Sequence, residues 1–174
     1  VHVERSAKFY TFTYTKDFPI SISTTRPETK LGDTAVAVHP DDKRYKKYIG
    51  KTYTVDVGSA KPLNIKIIAD PSVDPKFGTG ALGVTPAHSQ IDYDMYEKRK
   101  GTPEEIELRA VIGPDGRMSD LAGAHYEGLT VVEAREKFVE YLRKQGLLEK
   151  EDEVVQNVGT SDRFGDVIEV IPME

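Results

Sequence analysis

Apolar positions along the chain recur in short runs with a period of two, punctuated by proline, glycine and aspartate. Residues 8–15, KFYTFTYT, alternate aromatic with polar side chains and predict a strand. Residues 20–24 predict a second, with Lys16-Asp17-Phe18-Pro19 as the turn between them. Residues 34–38, 52–57 and 63–69 continue the series, and ALGVTP forms a short strand leaving the turn-rich loop marked by Pro71, Pro75, Gly78 and Gly80. Residues 109–112 add a strand closed by the turn Gly113-Pro114-Asp115-Gly116. Helical signals are fewer. Pro40-Asp41-Asp42 supplies start chemistry for a short basic helix ending near Gly50, and a second helix runs from around Ser89 to Lys100. The clearest covers residues 130–145. Thr130 and Glu133 have capping-box spacing, Val131, Ala134, Phe138, Tyr141 and Leu142 share one face, and Gly146 is a fitting stop.

Many short strands at hairpin-like spacing, with two or three helices between them, predict a mixed α/β but predominantly β fold: a barrel-like, bent antiparallel β core with peripheral helices. The regular strand–helix alternation of a doubly wound parallel sheet is missing.

Length and charge narrow this picture. At 174 residues the chain suits one domain. Its net charge of −5 argues against gripping nucleic acid through bulk electrostatics, and Lys43-Arg44-Tyr45-Lys46-Lys47 and Lys98-Arg99-Lys100 read first as solvated faces. Cysteine is absent, which removes disulfides, thiol nucleophiles and thiolate metal ligands and fits a reducing cytoplasm. No apolar run approaches membrane-spanning length, so no membrane partner is expected. The chain begins at Val1 without Met, the expected mark of a fragment or processed product.

Phosphate-cradling loops of the Gly-x-x-x-x-Gly-Lys type, Gly-x-Ser-x-Gly elbows and His-Glu-x-x-His pairs are absent. His2, His39, His88 and His125 are scattered, so neither a metal nor a cofactor is expected. Two segments concentrate polar chemistry. In Ser23-Thr24-Thr25-Arg26-Pro27-Glu28-Thr29, a proline-stiffened bend loads hydroxyls and charges ahead of an apolar strand. In FGTGALGVTPAHSQIDY, running from Phe77, Gly78 and Gly80 permit close backbone approach to a ligand, and Thr85, His88, Ser89 and Asp92 lead into a helix with His88 at its N-cap. Asp92 in the first turn either receives a ligand ammonium group or merely complements the helix dipole. Neither segment offers a strong nucleophile, which favours positioning water against an activated bond over covalent catalysis.

These two segments, in this order, resemble the editing (connective polypeptide) domain of the class I aminoacyl-tRNA synthetases for valine, isoleucine and leucine, and most closely the valyl members. DLAGAHYEGLTVVEAREKFVEYLRKQGLL extends the likeness over essentially the whole chain. The resemblance implies a single editing domain over residues 1–174, with residues 1–8 and 154–174 as linker strands to the parent synthetase body, and an isolated domain that is monomeric. It implies hydrolysis of threonine mischarged onto tRNA(Val), with threonyl-adenylate as a second substrate, because an apolar synthetic pocket separates the near-isosteres valine and threonine poorly. The partner is the tRNA(Val) acceptor end carrying threonine. Carried over by position, Asp92 matches the aspartate that holds the substrate α-ammonium. Thr24, Thr25, Arg26 and Thr29, with Glu28 between them, match the wall around the aminoacyl ester and terminal adenosine. Phe77 and Thr85 match pocket residues, Phe77 against the adenine, and His88 matches the histidine of the Pro-Ala-His segment. Thr24, Thr25, His88 and Asp92 form the expected catalytic group; Arg26, Glu28, Thr29, Phe77, Thr85 and Ser89 form the expected binding group.

Four positions depart from the pattern. Many valyl members carry lysine where this chain has Gly83 and aspartate where it has Ser89. Ser161 and Phe164 replace both cysteines of a Gly-Thr-Cys-x-Arg-Cys-Gly segment, so no zinc knuckle is expected there. The departures at 83 and 89 keep one alternative in play, a tRNA-positioning insert whose editing chemistry has decayed; an editing domain of isoleucyl type is a further alternative.

Overall fold

The computed structural model describes residues 3–158 and 167–171. In chain order the strands are β1 (Val3–Phe12), β2 (Ile22–Thr24), β3 (Ala35–Val38), β4 (Thr52–Val55), β5 (Leu63–Ala69), β6 (Ala81–Val84), β7 (Leu148–Val158) and β8 (Val167–Ile171). The α-helices are α1 (Gln90–Arg99) and α2 (Val131–Lys144). The expected mixed α/β architecture, richer in strand than helix, is what forms. The strands make two four-stranded sheets, ordered β2-β1-β7-β8 and β4-β5-β3-β6. Among the described residues, strand pairing closes neither sheet into a barrel.

The first sheet is antiparallel throughout. In the second, β4 with β5 and β3 with β6 are antiparallel, while β3 runs parallel to β5, with Val36 opposite Ile67. That parallel pair departs from the expected all-antiparallel core. Both faces of β3 are buried: Val36 and Val38 enter the main core, whereas Ala35 and Ala37 face a smaller cluster with Ile68, Val84 and Met95. A strand apolar on both faces suits a central position in either direction.

Helix α2 forms as its sequence dictates. Glu133 N–H donates to Thr130 Oγ1 at 3.2 Å, and Thr130 N–H donates to Glu133 Oε1 at 2.9 Å. Ala134, Phe138 and Leu142 are buried, with Phe138 edge-on to Phe12 at 5.8 Å. The basic helix expected after Pro40 is replaced by turns and a 3-10 turn at Lys46–Tyr48. There the Asp42 carboxylate takes both the backbone N–H and the guanidinium of Arg44, so a side chain supplants the helical partner. Residues 109–112 form no strand; Ile112 makes one isolated bridge to Met118.

An element not expected from the sequence is the 3-10 helix Pro27–Gly32, every residue of which is buried. Pro27 sets its first turn, and Glu28, 1% exposed, accepts two bonds from Arg135 of α2 at 2.8 and 3.1 Å. This ion pair fastens the turn to the helix. The Gly159-Thr160-Ser161-Asp162-Arg163-Phe164-Gly165 stretch, where the zinc knuckle was discounted, lies outside the described residues. So do parts of both expected linker ends. No helix among the described residues is long and apolar enough to cross a membrane.

Candidate active site

Where β2 of the first sheet approaches β6 of the second, the chain leaves a pocket of about 240 Å³. Its walls come from β2 and the bend after it (Thr24, Thr25, Arg26), from the 3-10 helix (Thr29, Lys30), and from β6 with the following loop (Gly83, Thr85, His88). Asp92 from the first turn of α1 and the ring pair Phe9–Phe77, centroids 5.2 Å apart, complete it.

Local hydrogen bonds fix each wall. The Arg26 N–H donates to Thr24 Oγ1 at 3.0 Å, and Thr29 Oγ1 donates to the Arg26 carbonyl at 2.8 Å, so two threonines shape the proline bend. The Arg26 guanidinium, half-exposed at the rim, donates to the His88 carbonyl at 2.9 Å and joins the two walls. Ser89, not His88, is the N-cap of α1, its Oγ accepting the Asp92 N–H at 3.4 Å. Asp92 Oδ2 accepts the Thr85 N–H at 2.8 Å. Among the described residues no donor engages Asp92 Oδ1. Burial raises the Asp92 carboxyl from its ordinary pKa, against the opposing pull of Lys30, the Thr85 N–H and Arg26.

Beneath the pocket lies a polar cluster. Thr85 Oγ1 donates to Asp33 Oδ1 at 2.5 Å, Tyr14 Oη donates to Asp33 Oδ2, and Lys30 Nζ lies 3.2 Å from Asp33 Oδ1. Lys30 Nζ also donates to the Gly83 carbonyl at 2.8 Å and to Thr85 Oγ1 at 3.0 Å. Burial pushes Asp33 up to about 6, despite the lowering effects of Lys30, Thr85 and Tyr14. Burial and the Asp33 charge drive Tyr14 well above the ordinary tyrosine range.

Of the ten residues expected from the sequence, nine line this one pocket: Thr24, Thr25, Arg26, Thr29, Phe77, Thr85, His88, Ser89 and Asp92. Glu28 does not; its carboxylate is turned to Arg135. His88 is placed differently from a free acid–base. Its Nε2 accepts the N–H groups of Val111 and Ile112 at 2.9 and 3.1 Å, which puts the neutral ring's proton on Nδ1. Burial, with help from Arg26 and Lys30, lowers its pKa and keeps it neutral. Gly78 and Gly80 also serve the fold. Both have positive φ, and a Cβ would strike Ser23 and Phe9 at Gly78, or Arg44 and the Pro75 carbonyl at Gly80. Sequence reasoning missed Tyr14, Lys30 and Asp33. The one available signal was the opposite-charge pair Lys30 and Asp33, three residues apart, directly ahead of a strand apolar on both faces.

No family model matches the chain. Individual relatives do, and they are aminoacyl-tRNA ligases. More narrowly, they are valine–tRNA ligases: that of Petrotoga mobilis is 41% identical over 177 residues, covering 99% of this chain and 19% of that protein. Those of Carboxydothermus hydrogenoformans and Thermotoga maritima are each 43% identical over 171 residues and 97% of the chain. The chain therefore corresponds to a segment of the valine–tRNA ligase family, and spans 18–19% of the length of these relatives.

Proposed function

We propose that the chain is the editing segment of a valine–tRNA ligase, and that its pocket hydrolyses the ester joining threonine to the terminal ribose of tRNA(Val). The observation that carries this reading is Asp92: one carboxylate oxygen is held by the Thr85 N–H and the other is open, in a pocket walled by threonine hydroxyls. An α-ammonium group pairs with the open oxygen, which fixes the scissile carbonyl relative to Thr24, Thr25 and Arg26. Phe77, tilted on Phe9, supplies a face for the adenine. Hydroxyl groups and the Arg26 guanidinium orient a water and steady the oxyanion that forms as it adds to the carbonyl. The water's proton passes to the departing ribose oxygen, so the products are free threonine and deacylated tRNA. No covalent enzyme intermediate is called for. Threonyl-adenylate, with the same aminoacyl group and adenosine, is a second substrate of the same site. The tRNA acceptor end and the parent synthetase body are the partners, in the cytoplasm, and the segment alone is a monomer.

A second reading, an insert that holds the acceptor end without hydrolysing it, draws on one observation: His88 Nε2 is committed to backbone donors and offers no base. Deacylation assays on Thr-tRNA(Val) and Val-tRNA(Val) with the whole synthetase separate the readings. Editing predicts rapid release of threonine and slow release of valine. Retention of both amino acids with the acceptor end bound supports the positioning insert.

A further inference from the structure

Lys30 and Asp33, at the end of the 3-10 helix, and Tyr14, from the loop after β1, meet beneath the pocket, and none belongs to the hydroxyl wall. Lys30 is 5% exposed, Asp33 1% and Tyr14 0%. Such a cluster is costly to bury unless each polar atom has a partner. Here the partners converge on one hydroxyl. Thr85 Oγ1 gives its proton to Asp33 Oδ1 at 2.5 Å and accepts one from Lys30 Nζ at 3.0 Å. The second Asp33 oxygen is taken by Tyr14 Oη. The Lys30 ammonium divides its donors among the Gly83 carbonyl, Thr85 and Asp33. Thr85 is thus left with one lone pair and no proton to offer. Its backbone N–H is held too, by Asp92. A Cβ at Gly83 would fall 2.3 Å from Asp33 Oδ2 and 2.9 Å from Lys30 Cδ, so glycine at 83 is what leaves the cluster room to close.

We propose that Lys30, Asp33 and Tyr14 are positioning residues that fix Thr85 as an acceptor-only hydroxyl at the pocket floor, so that the site favours an aminoacyl side chain able to donate a hydrogen bond. The proposal rests on the editing reading above and names how threonine is told from valine. A hydroxyl on the substrate satisfies the remaining lone pair, whereas a methyl group in its place leaves that lone pair facing carbon. Ionised Asp33 is the state that takes the Thr85 proton, and it prevails above about pH 6.

The test uses two adenosine derivatives carrying threonine or valine through a non-hydrolysable amide on the ribose, titrated calorimetrically into the 174-residue chain. Wild type binds the threonyl compound about tenfold more tightly, the worth of one neutral hydrogen bond. Tyr14→Phe weakens that preference, and the charge-free pair Lys30→Met/Asp33→Leu, which removes the acceptor of the Thr85 proton, abolishes it. In both, affinity for the valyl compound stays within about twofold, a pattern that general loosening of the pocket would not give. Thr85→Ser keeps the preference, and adding Thr85→Val to the charge-free pair changes nothing further. Tyr14→Phe retains the ring that packs on Phe12 and Phe18, and keeps the test open if the charge-free pair does not fold. Undiminished preference in Tyr14→Phe and the charge-free pair, or fully additive losses with Thr85→Val, overturns the relay. Equal binding of both compounds by wild type overturns it while leaving the editing site standing. Failure of folded wild type to bind either compound overturns the editing reading, and this proposal with it.

Discussion

Replacing Arg135 should cost more stability than replacing the glutamate it binds. The two partners sit in unequal surroundings: the Glu28 side chain is 1% exposed and that of Arg135 is 34% exposed. In Glu28→Gln, the guanidinium loses a charge-assisted pair but can turn to water, which costs about 1–2 kcal/mol. In Arg135→Met, a carboxylate is left buried with only Arg26 Nε at 3.9 Å for relief, and removing one member of a buried pair costs about 3–5 kcal/mol. The half-exposed Arg26 compensates in part, so the lower end, about 3 kcal/mol, is expected. The double variant Glu28→Gln/Arg135→Met should recover most of that loss, because no charge is then stranded. Urea unfolding of the four proteins, with the dependence on denaturant unchanged, measures all three differences. A Glu28→Gln cost equal to or above that of Arg135→Met would refute the reasoning, since it would mean that burial does not govern this pair. The result bears on function, because the 3-10 helix that the pair fastens carries Thr29 and Lys30 into the pocket.

Gly83→Ala should destabilise by about 1–3 kcal/mol through overpacking and should also disturb the pocket floor, since its Cβ meets Asp33 Oδ2 at 2.3 Å and Ile22 Cδ1 at 2.8 Å; thermal melts and the analogue titrations read the two effects separately. Asp33 makes a signed prediction. Its folded pKa is raised from 3.8 to about 6, so its contribution to stability is full below pH 3.8 and is lost as pH rises through about 6, roughly 3 kcal/mol in all. Asp33 faces Lys30, Tyr14 and Thr85, with Asp92 beyond; Asp33→Asn removes the Asp33 titration, and its effect on Tyr14 falls well above this pH window. The stability of wild type relative to Asp33→Asn should therefore fall between pH 4 and pH 7, and parallel profiles would contradict the assignment. Thr130→Ala should cost about 1 kcal/mol by removing the cap of α2, visible as a lower unfolding midpoint.

What the sequence made legible divides along the range of the interactions involved. Helix α2, β5 and the bend after β2 are specified by neighbours a few residues apart, and their patterns could be read directly. The parallel β3–β5 pair could not, because AVAV is apolar on both faces and its alternation carries no direction. Residues 109–112 have strand-like composition, yet the Val111 and Ile112 N–H groups are claimed by His88 from a distant loop. The hydroxyl wall and Asp92 stood out because their residue types are unusual in such density. Glu28 stood in the same stretch but turns to Arg135, 107 residues away. Tyr14, Lys30 and Asp33 were harder to see for a related reason: each looks ordinary alone, and only packing brings Lys30 and Asp33 onto Thr85 and Tyr14 onto Asp33.

The central claim is that Asp92 anchors an aminoacyl ester for hydrolysis, and single-turnover deacylation of Thr-tRNA(Val) by the whole synthetase tests it most directly. Wild type should release threonine rapidly. Asp92→Asn, which keeps an acceptor for the Thr85 N–H while losing the charge, should slow that release at least about a hundredfold, as loss of a charge-assisted contact worth some 3 kcal/mol requires. Release by Asp92→Asn at the wild-type rate, with the acceptor end bound in both, would contradict the account.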